Sequence, residues 1–92
     1  MNISTELLRI NQELASKSIS LRIEQRRALL NLRGPLPSYT QKGIYKTQRI
    51  SLHLPANPTG LQEAQKRLEM VLFQLKHEQF NWDHWSKKNF KF

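Results

Sequence analysis

The hydrophobic residues of this chain change their period twice, and that change constrains the fold more than any other feature. Ile3, Leu7, Ile10 and Leu14 recur at helical spacing, Ile19, Leu21 and Ile23 then alternate with Ser20, Arg22 and Glu24, and helical spacing returns from Leu61 onward. A period near 3.6 lines up side chains on one stripe of a helix, whereas a period of two sends them to one face of a strand. The first stripe predicts an amphipathic helix over residues 4–16, capped by Ser4 or Asn2 and followed by the polar Ser16-Lys17-Ser18.

The alternation predicts a first strand over 18–24, a polar break at Gln25-Arg26-Arg27, and a second strand with Ala28, Leu30 and Leu32 inward and Leu29, Asn31 and Arg33 outward. A hairpin joins them, with no Asn-Gly or Asp-Gly to define its turn type. Because proline cannot donate to a ladder, Gly34-Pro35-Leu36-Pro37-Ser38 is expected to end that strand in a loop reaching about Gly43. Ile44 to Leu54 is the third strand, with Ile50, Leu52 and Leu54 facing in. Asn57-Pro58 offers a helix start with proline at the first position, and Thr59 with Gln62 offers a competing one. Leu61, Ala64, Leu68, Val71, Leu72 and Leu75 carry that helix to about Gln79. Trp82 and Trp85 are expected to pack over the edge of the core, and residues 86–92 to form a basic, frayed tail. The expected class is α+β: a three-stranded antiparallel sheet packed on a C-terminal helix, with an additional N-terminal helix.

Charge narrows the function classes. Fifteen Lys and Arg against seven Asp and Glu leave a formal charge of +8, which favours a polyanionic partner, nucleic acid before an anionic membrane surface. The absence of cysteine removes disulfides, thiolate metal sites and thiol nucleophiles, and fits a reducing, cytoplasmic setting. No apolar run has the character of a signal peptide or the length of a membrane span. His53, His77 and His84 lack the close pairing with carboxylates of a metal site, and no nucleophile elbow or phosphate loop is present. No cofactor, metal, small-molecule substrate or catalytic residue is expected.

With one sheet face buried, the other presents Ser20, Arg22 and Glu24, then Asn31 and Arg33, then Tyr45, Thr47, Arg49, Ser51 and His53. Hydrogen-bond donors dominate that face, and arginine or asparagine can pair bidentately with purine edges. Arg26 and Arg27 at the hairpin tip, with Lys42 and Lys46 beyond the long loop, would bracket it and neutralise phosphates. Lys66, Arg67 and Lys76 read as a solvated helical surface instead.

Three stretches carry a resemblance: Leu30 to Pro37 (LNLRGPLP), Arg49 to Ala64 (RISLHLPANPTGLQEA) and Phe80-Asn-Trp-Asp83. Their order and spacing resemble the N-terminal, arm-type DNA-binding domains of tyrosine recombinases of the phage integrase family. The resemblance divides the chain into a helix over 1–17, an integrase-like domain over 18–85 and the tail over 86–92. It implies a sheet lying in the major groove of double-stranded DNA, with Asn31, Arg33, Arg49, Ser51 and His53 as leading contacts and Arg22 next. It implies other recombinase domains or subunits as partners, whereas strand cleavage, which belongs to a separate catalytic domain in such proteins, is not expected of these residues. Two rival readings remain. The α-β-β-β-α order is also that of double-stranded RNA-binding domains, whose last helix begins with a lysine cluster that Pro58-Thr-Gly-Leu-Gln-Glu63 lacks. In the other, the Ile3, Leu7, Ile10, Leu14 stripe pairs with a partner helix and the chain is a protein-interaction module.

Overall fold

A computed structural model describes residues 3–38 and 43–85 and follows the element order that the periods imply. The elements are α1 (Ser4–Ser16), β1 (Arg22–Arg26), β2 (Leu29–Pro37), β3 (Tyr45–Pro55), α2 (Pro58–Lys76) and a single turn, α3 (Trp82–Trp85). β1 pairs with β2 and β2 with β3, both antiparallel, so the fold is α+β with β2 in the centre of the sheet.

Ile23, Leu30, Leu32, Leu36, Ile50 and Leu52 are at most 2% exposed and meet Leu61, Ala64, Leu68 and Val71 of α2 in one core. Full burial of each such aliphatic side chain is worth about 1.5–3 kcal/mol, which makes this contact the main source of stability. Of the two helix starts open in the sequence, α2 uses Asn57, whose side chain accepts from the Gly60 amide at 2.7 Å while Pro58 takes the first helical position. The helix stops at Lys76 rather than near Gln79, because Glu78 adopts a φ of 54° and turns the chain away.

The strand boundaries differ from the sequence expectation for identifiable reasons. Pairing of β1 begins at Arg22, although Leu21 is buried and Ile19 half-buried as the alternation requires. Residues 20 and 21 instead cross close over β2 at Gly34, where a Cβ would lie 2.8 Å from both the Ser20 carbonyl oxygen and the Leu21 side chain. Only glycine permits that approach. Ala28 is exposed in the hairpin turn, beside Arg27 at a φ of 56°, and is not an inward strand residue.

Most of the expected loop, Gly34 to Pro37, is the second half of β2, paired to β3 from Gly34↔Gln48 to Pro37↔Tyr45, and the strand ends before Ser38. Two prolines are tolerated in a central strand because β1 has ended, its last pair being Arg22↔Arg33. The Ser38 amide donates to the Ile44 carbonyl across the β2–β3 pair. Alternation from Ser38 therefore points the backbone of Pro35 and Pro37 the other way, toward the vacated edge, where no ladder donor is required. The Trp82 indole N–H occupies part of that edge, donating to the Pro37 carbonyl at 2.6 Å, while Trp85 is buried and donates to Gln74 Oε1 at 2.6 Å. The tryptophans thus pack on the core edge, within a helical turn that the sequence pattern did not signal.

The N-terminal stripe docks on its own domain. Ile3 and Ile10 are buried and Leu7 and Leu14 pack against the same core, which leaves little of the stripe for a partner helix. Ile3, not Ser4, is the N-cap residue and no side chain caps the helix; Asn2 lies outside the described residues. α1 instead anchors through Asn11, whose Nδ2 donates to the Ile23 carbonyl at 2.9 Å while its Oδ1 accepts from the Ile23 amide at 3.0 Å. This side chain imitates a neighbouring strand at the outer edge of β1 and removes part of an exposed edge. Replacing Asn11 by Ala leaves both Ile23 backbone groups without that partner and should cost about 1–3 kcal/mol in denaturant unfolding, with faster hydrogen exchange at the Ile23 amide.

Candidate nucleic-acid interface

With Leu30, Leu32, Ile23 and Ile50 turned toward α2, the pleat turns their neighbours the other way. The open face presents Arg22, Glu24 and Arg26 from β1, Leu29, Asn31, Arg33 and Pro35 from β2, and Thr47, Arg49 and Ser51 from β3. The register aligns Arg22, Arg33 and Arg49 on one rung and Glu24, Asn31 and Ser51 on the next rung of the same face. With strands about 4.8 Å apart, the arginine rung is roughly 10 Å wide.

Glu24 organises this face. Its Oε1 accepts from Arg49 Nε at 2.5 Å and its Oε2 from Arg49 Nη2 at 3.2 Å, a bidentate fork, while Arg33 Nη1 stands 3.8 Å from Oε2. The fork reaches across β2, from one edge strand to the other. The Arg49 hydrogen bond holds the Glu24 carboxyl below the usual carboxylate range against an opposing contribution from partial burial, and the same bond raises the Arg49 guanidinium.

The remaining sequence candidates take distinct places. Asn31 is on the open face but only 7% exposed, between Glu24 and Ser51. Arg26 ends β1 and Arg27 forms the hairpin tip beside it. His53 is exposed at a register irregularity, where Asn31↔Ser51 is followed by Leu30↔Leu54 and His53 has a φ of 58°. Leu52 and His53 are together an even insertion, so Leu54 stays on the core side and the alternation survives. Lys46 pairs with the inward Leu36 and so leaves the sheet on the α2 side, near its far end. Lys42 lies outside the described residues.

A shallow concavity of about 260 Å³ opens where β1 ends, lined by Ser20, Arg22, Arg33, Gly34, Pro35 and Thr47. Two guanidinium groups and two hydroxyls around it make a surface suited to an anion. The concavity and the Glu24 fork were not marked as sites by the sequence, because both exist only through pairing of strands distant in the chain. Among the described residues no group of three or more His, Cys, Asp or Glu is placed to hold a metal, and no helix is long and apolar enough to cross a membrane.

The charge is unevenly divided among the elements. α1 and α2 balance Glu6, Glu13, Glu63 and Glu69 against Arg9, Lys66, Arg67 and Lys76, with Arg9–Glu6 and Arg67–Glu63 in ion pairs at 2.7 and 3.0 Å. The strands and hairpin tip set Arg22, Arg26, Arg27, Arg33, Lys46 and Arg49 against Glu24 alone. Among the described residues the net positive charge therefore lies in the sheet and its hairpin tip. A family model of the XisA/XisC N-terminal domain matches residues 1–91. The chain belongs to this family. No match was found among curated proteins or solved structures. Membership of the XisA/XisC family points to a DNA-binding role in excision and recombination, and it takes in α1 as part of the domain.

The fork gives the XisA/XisC domain a signed pH dependence. A carboxylate whose folded pKa is depressed stabilises the fold above its unfolded value, near 4.3, and the contribution disappears as pH falls through the folded value. Glu24→Gln should therefore be less stable than the parent at neutral pH, with the difference shrinking below about pH 4 in thermal melts taken across the acid range.

Proposed function

We propose that this domain binds double-stranded DNA by laying the open face of its sheet in the major groove, as the non-catalytic, cytoplasmic N-terminal module of a tyrosine-type site-specific recombinase. The observation that carries the reading is the Arg22–Arg33–Arg49 rung on a face that α2 leaves uncovered. A surface roughly 10 Å across suits a groove about 12 Å wide, and the handed-out donors face the base edges and the phosphate walls. Arg22 and Arg33, beside the anion-sized concavity, contact one phosphate strand, and Arg26 and Arg27 at the hairpin tip reach along the groove toward another. Ser51 and His53 continue the contact surface along the third strand, with the buried Asn31 between them and β1 leaving only a small polar surface. Lys46, on the other side of the sheet end, contributes by its field.

The recombinase assignment rests on the integrase-like motifs together with family membership, and it makes other recombinase domains or subunits the protein partners. The chemistry of strand cleavage and rejoining then belongs to those domains. The reading needs no cofactor and no small-molecule substrate.

Titration of isotope-labelled protein with matched DNA and RNA duplexes at two salt concentrations tests the reading residue by residue. DNA should shift amides in residues 20–33 and 45–53, with weaker binding at higher salt. An RNA preference, or shifts confined to α2, would sink it. Arg22→Ala and Arg33→Ala should each weaken binding to all duplexes and lower the slope of log affinity against log salt by about 1, whereas Lys66→Ala on α2 should leave both unchanged.

A further inference from the structure

We propose that Glu24 is a positioning residue that presents Arg49 as the guanine-reading side chain of the face, while Arg22 and Arg33 are left for phosphates; this rests on the DNA-binding reading above. Glu24 engages the Nε and Nη2 edge of Arg49, at 2.5 and 3.2 Å. That edge is one side of the guanidinium plane. The end-on edge, Nη1 and Nη2, keeps donors pointing away from Glu24, and such a pair of parallel donors matches the O6 and N7 acceptors of guanine in the major groove.

Position and exposure support the division of labour. The Arg49 side chain is 33% exposed and its Glu24 partner 24%, whereas Arg33 is 51% exposed and stands 3.8 Å from the carboxylate, beyond hydrogen-bond distance. Arg49 is thus held in one orientation, and Arg33 is freer to follow a phosphate. Arg22 and Arg33 also line the concavity with Ser20 and Thr47, at the end of the sheet where a backbone would pass, and Arg49 does not.

Charge supplies the selectivity. A phosphate approaching Arg49 meets the Glu24 carboxylate at short range and is repelled, whereas the guanine edge is neutral and presents the same two acceptors. Pairing arginine with a carboxylate therefore biases it from backbone toward base. It also fixes the side chain before binding, which lowers the ordering cost of a bidentate contact.

Selection from a randomised duplex pool, combined with affinity for a scrambled duplex, distinguishes these roles. The wild-type protein should enrich guanine at a defined position. Glu24→Gln, checked for folding by its near-ultraviolet circular dichroism, should bind the scrambled duplex more tightly, having lost a negative charge, and yet lose roughly five- to hundredfold of the guanine preference. Arg49→Lys should lose the same preference while keeping its charge, and Arg22→Ala should weaken binding to every duplex with the preference retained. A Glu24→Gln protein that keeps the guanine preference, or that loses preference and scrambled-duplex affinity together, overturns the proposal, as does a wild type that binds all duplexes equally. A wild type that binds no duplex removes the DNA-binding reading itself.

Discussion

The arrangement of the open face depends on how β2 is buried against α2. Leu30, Leu32 and Leu36 have no exposed surface, and they lie in the same core as Leu61, Ala64, Leu68 and Val71. In a pleated strand a shift of one residue would exchange the two faces, so this burial makes a one-residue slip in register prohibitive. Once Leu32 faces the helix, Arg33 must face away, and pairing carries the same decision outward to Arg22 and Arg49. The apolar contact thereby aligns the cations. The irregularity at Leu52 and His53 leaves this intact because its insertion is even in length.

Around this core the edges are treated differently. Asn11 closes the backbone of Ile23 on the β1 side, and the indole of Trp82 meets the carbonyl of Pro37 where β1 has ended. Edge groups left open invite pairing with other chains, and these side chains reduce that exposure. The helices that supply them, α1 and α3, carry Glu6, Glu13 and Asp83 against Arg9 and so add no net positive charge, which separates edge protection from the positive field of the sheet. The domain of the XisA/XisC family represented by this chain accordingly combines two helices of balanced charge, α1 and α2, with a cationic sheet.

Glu24 modifies that face. A row of arginines alone would attract any polyanion and discriminate little, since phosphate contacts carry no sequence information. A carboxylate placed among them opposes non-specific attraction and orders the guanidinium nearest to it. On the DNA-binding reading proposed above, its cost to overall affinity is the loss of one unit of net positive charge. The gain is orientation, which an exposed arginine lacks because of its rotamer freedom.

The sequence by itself determined the order of the main elements, the α+β class and most of the inward strand residues, and it narrowed the start of α2 to two capping choices, because each depends on local periodicity or local capping chemistry. It also determined the sign of the charge and which arginines alternate away from the core. Tertiary structure decided where β1 begins, since the crossing of Ser20 and Leu21 over Gly34 is a contact between distant segments. It likewise decided that Pro35 and Pro37 remain in a central strand, because a proline's missing donor matters only if a neighbour needs it and β1 has already ended there. The Trp82–Trp85 turn was not visible as a period because a single turn is too short to show one, and its indoles are placed by partners in β2 and α2. The fork between Glu24 and Arg49 depends on two strand pairings that bring residues 25 positions apart together, and no local pattern encodes which carboxylate meets which guanidinium.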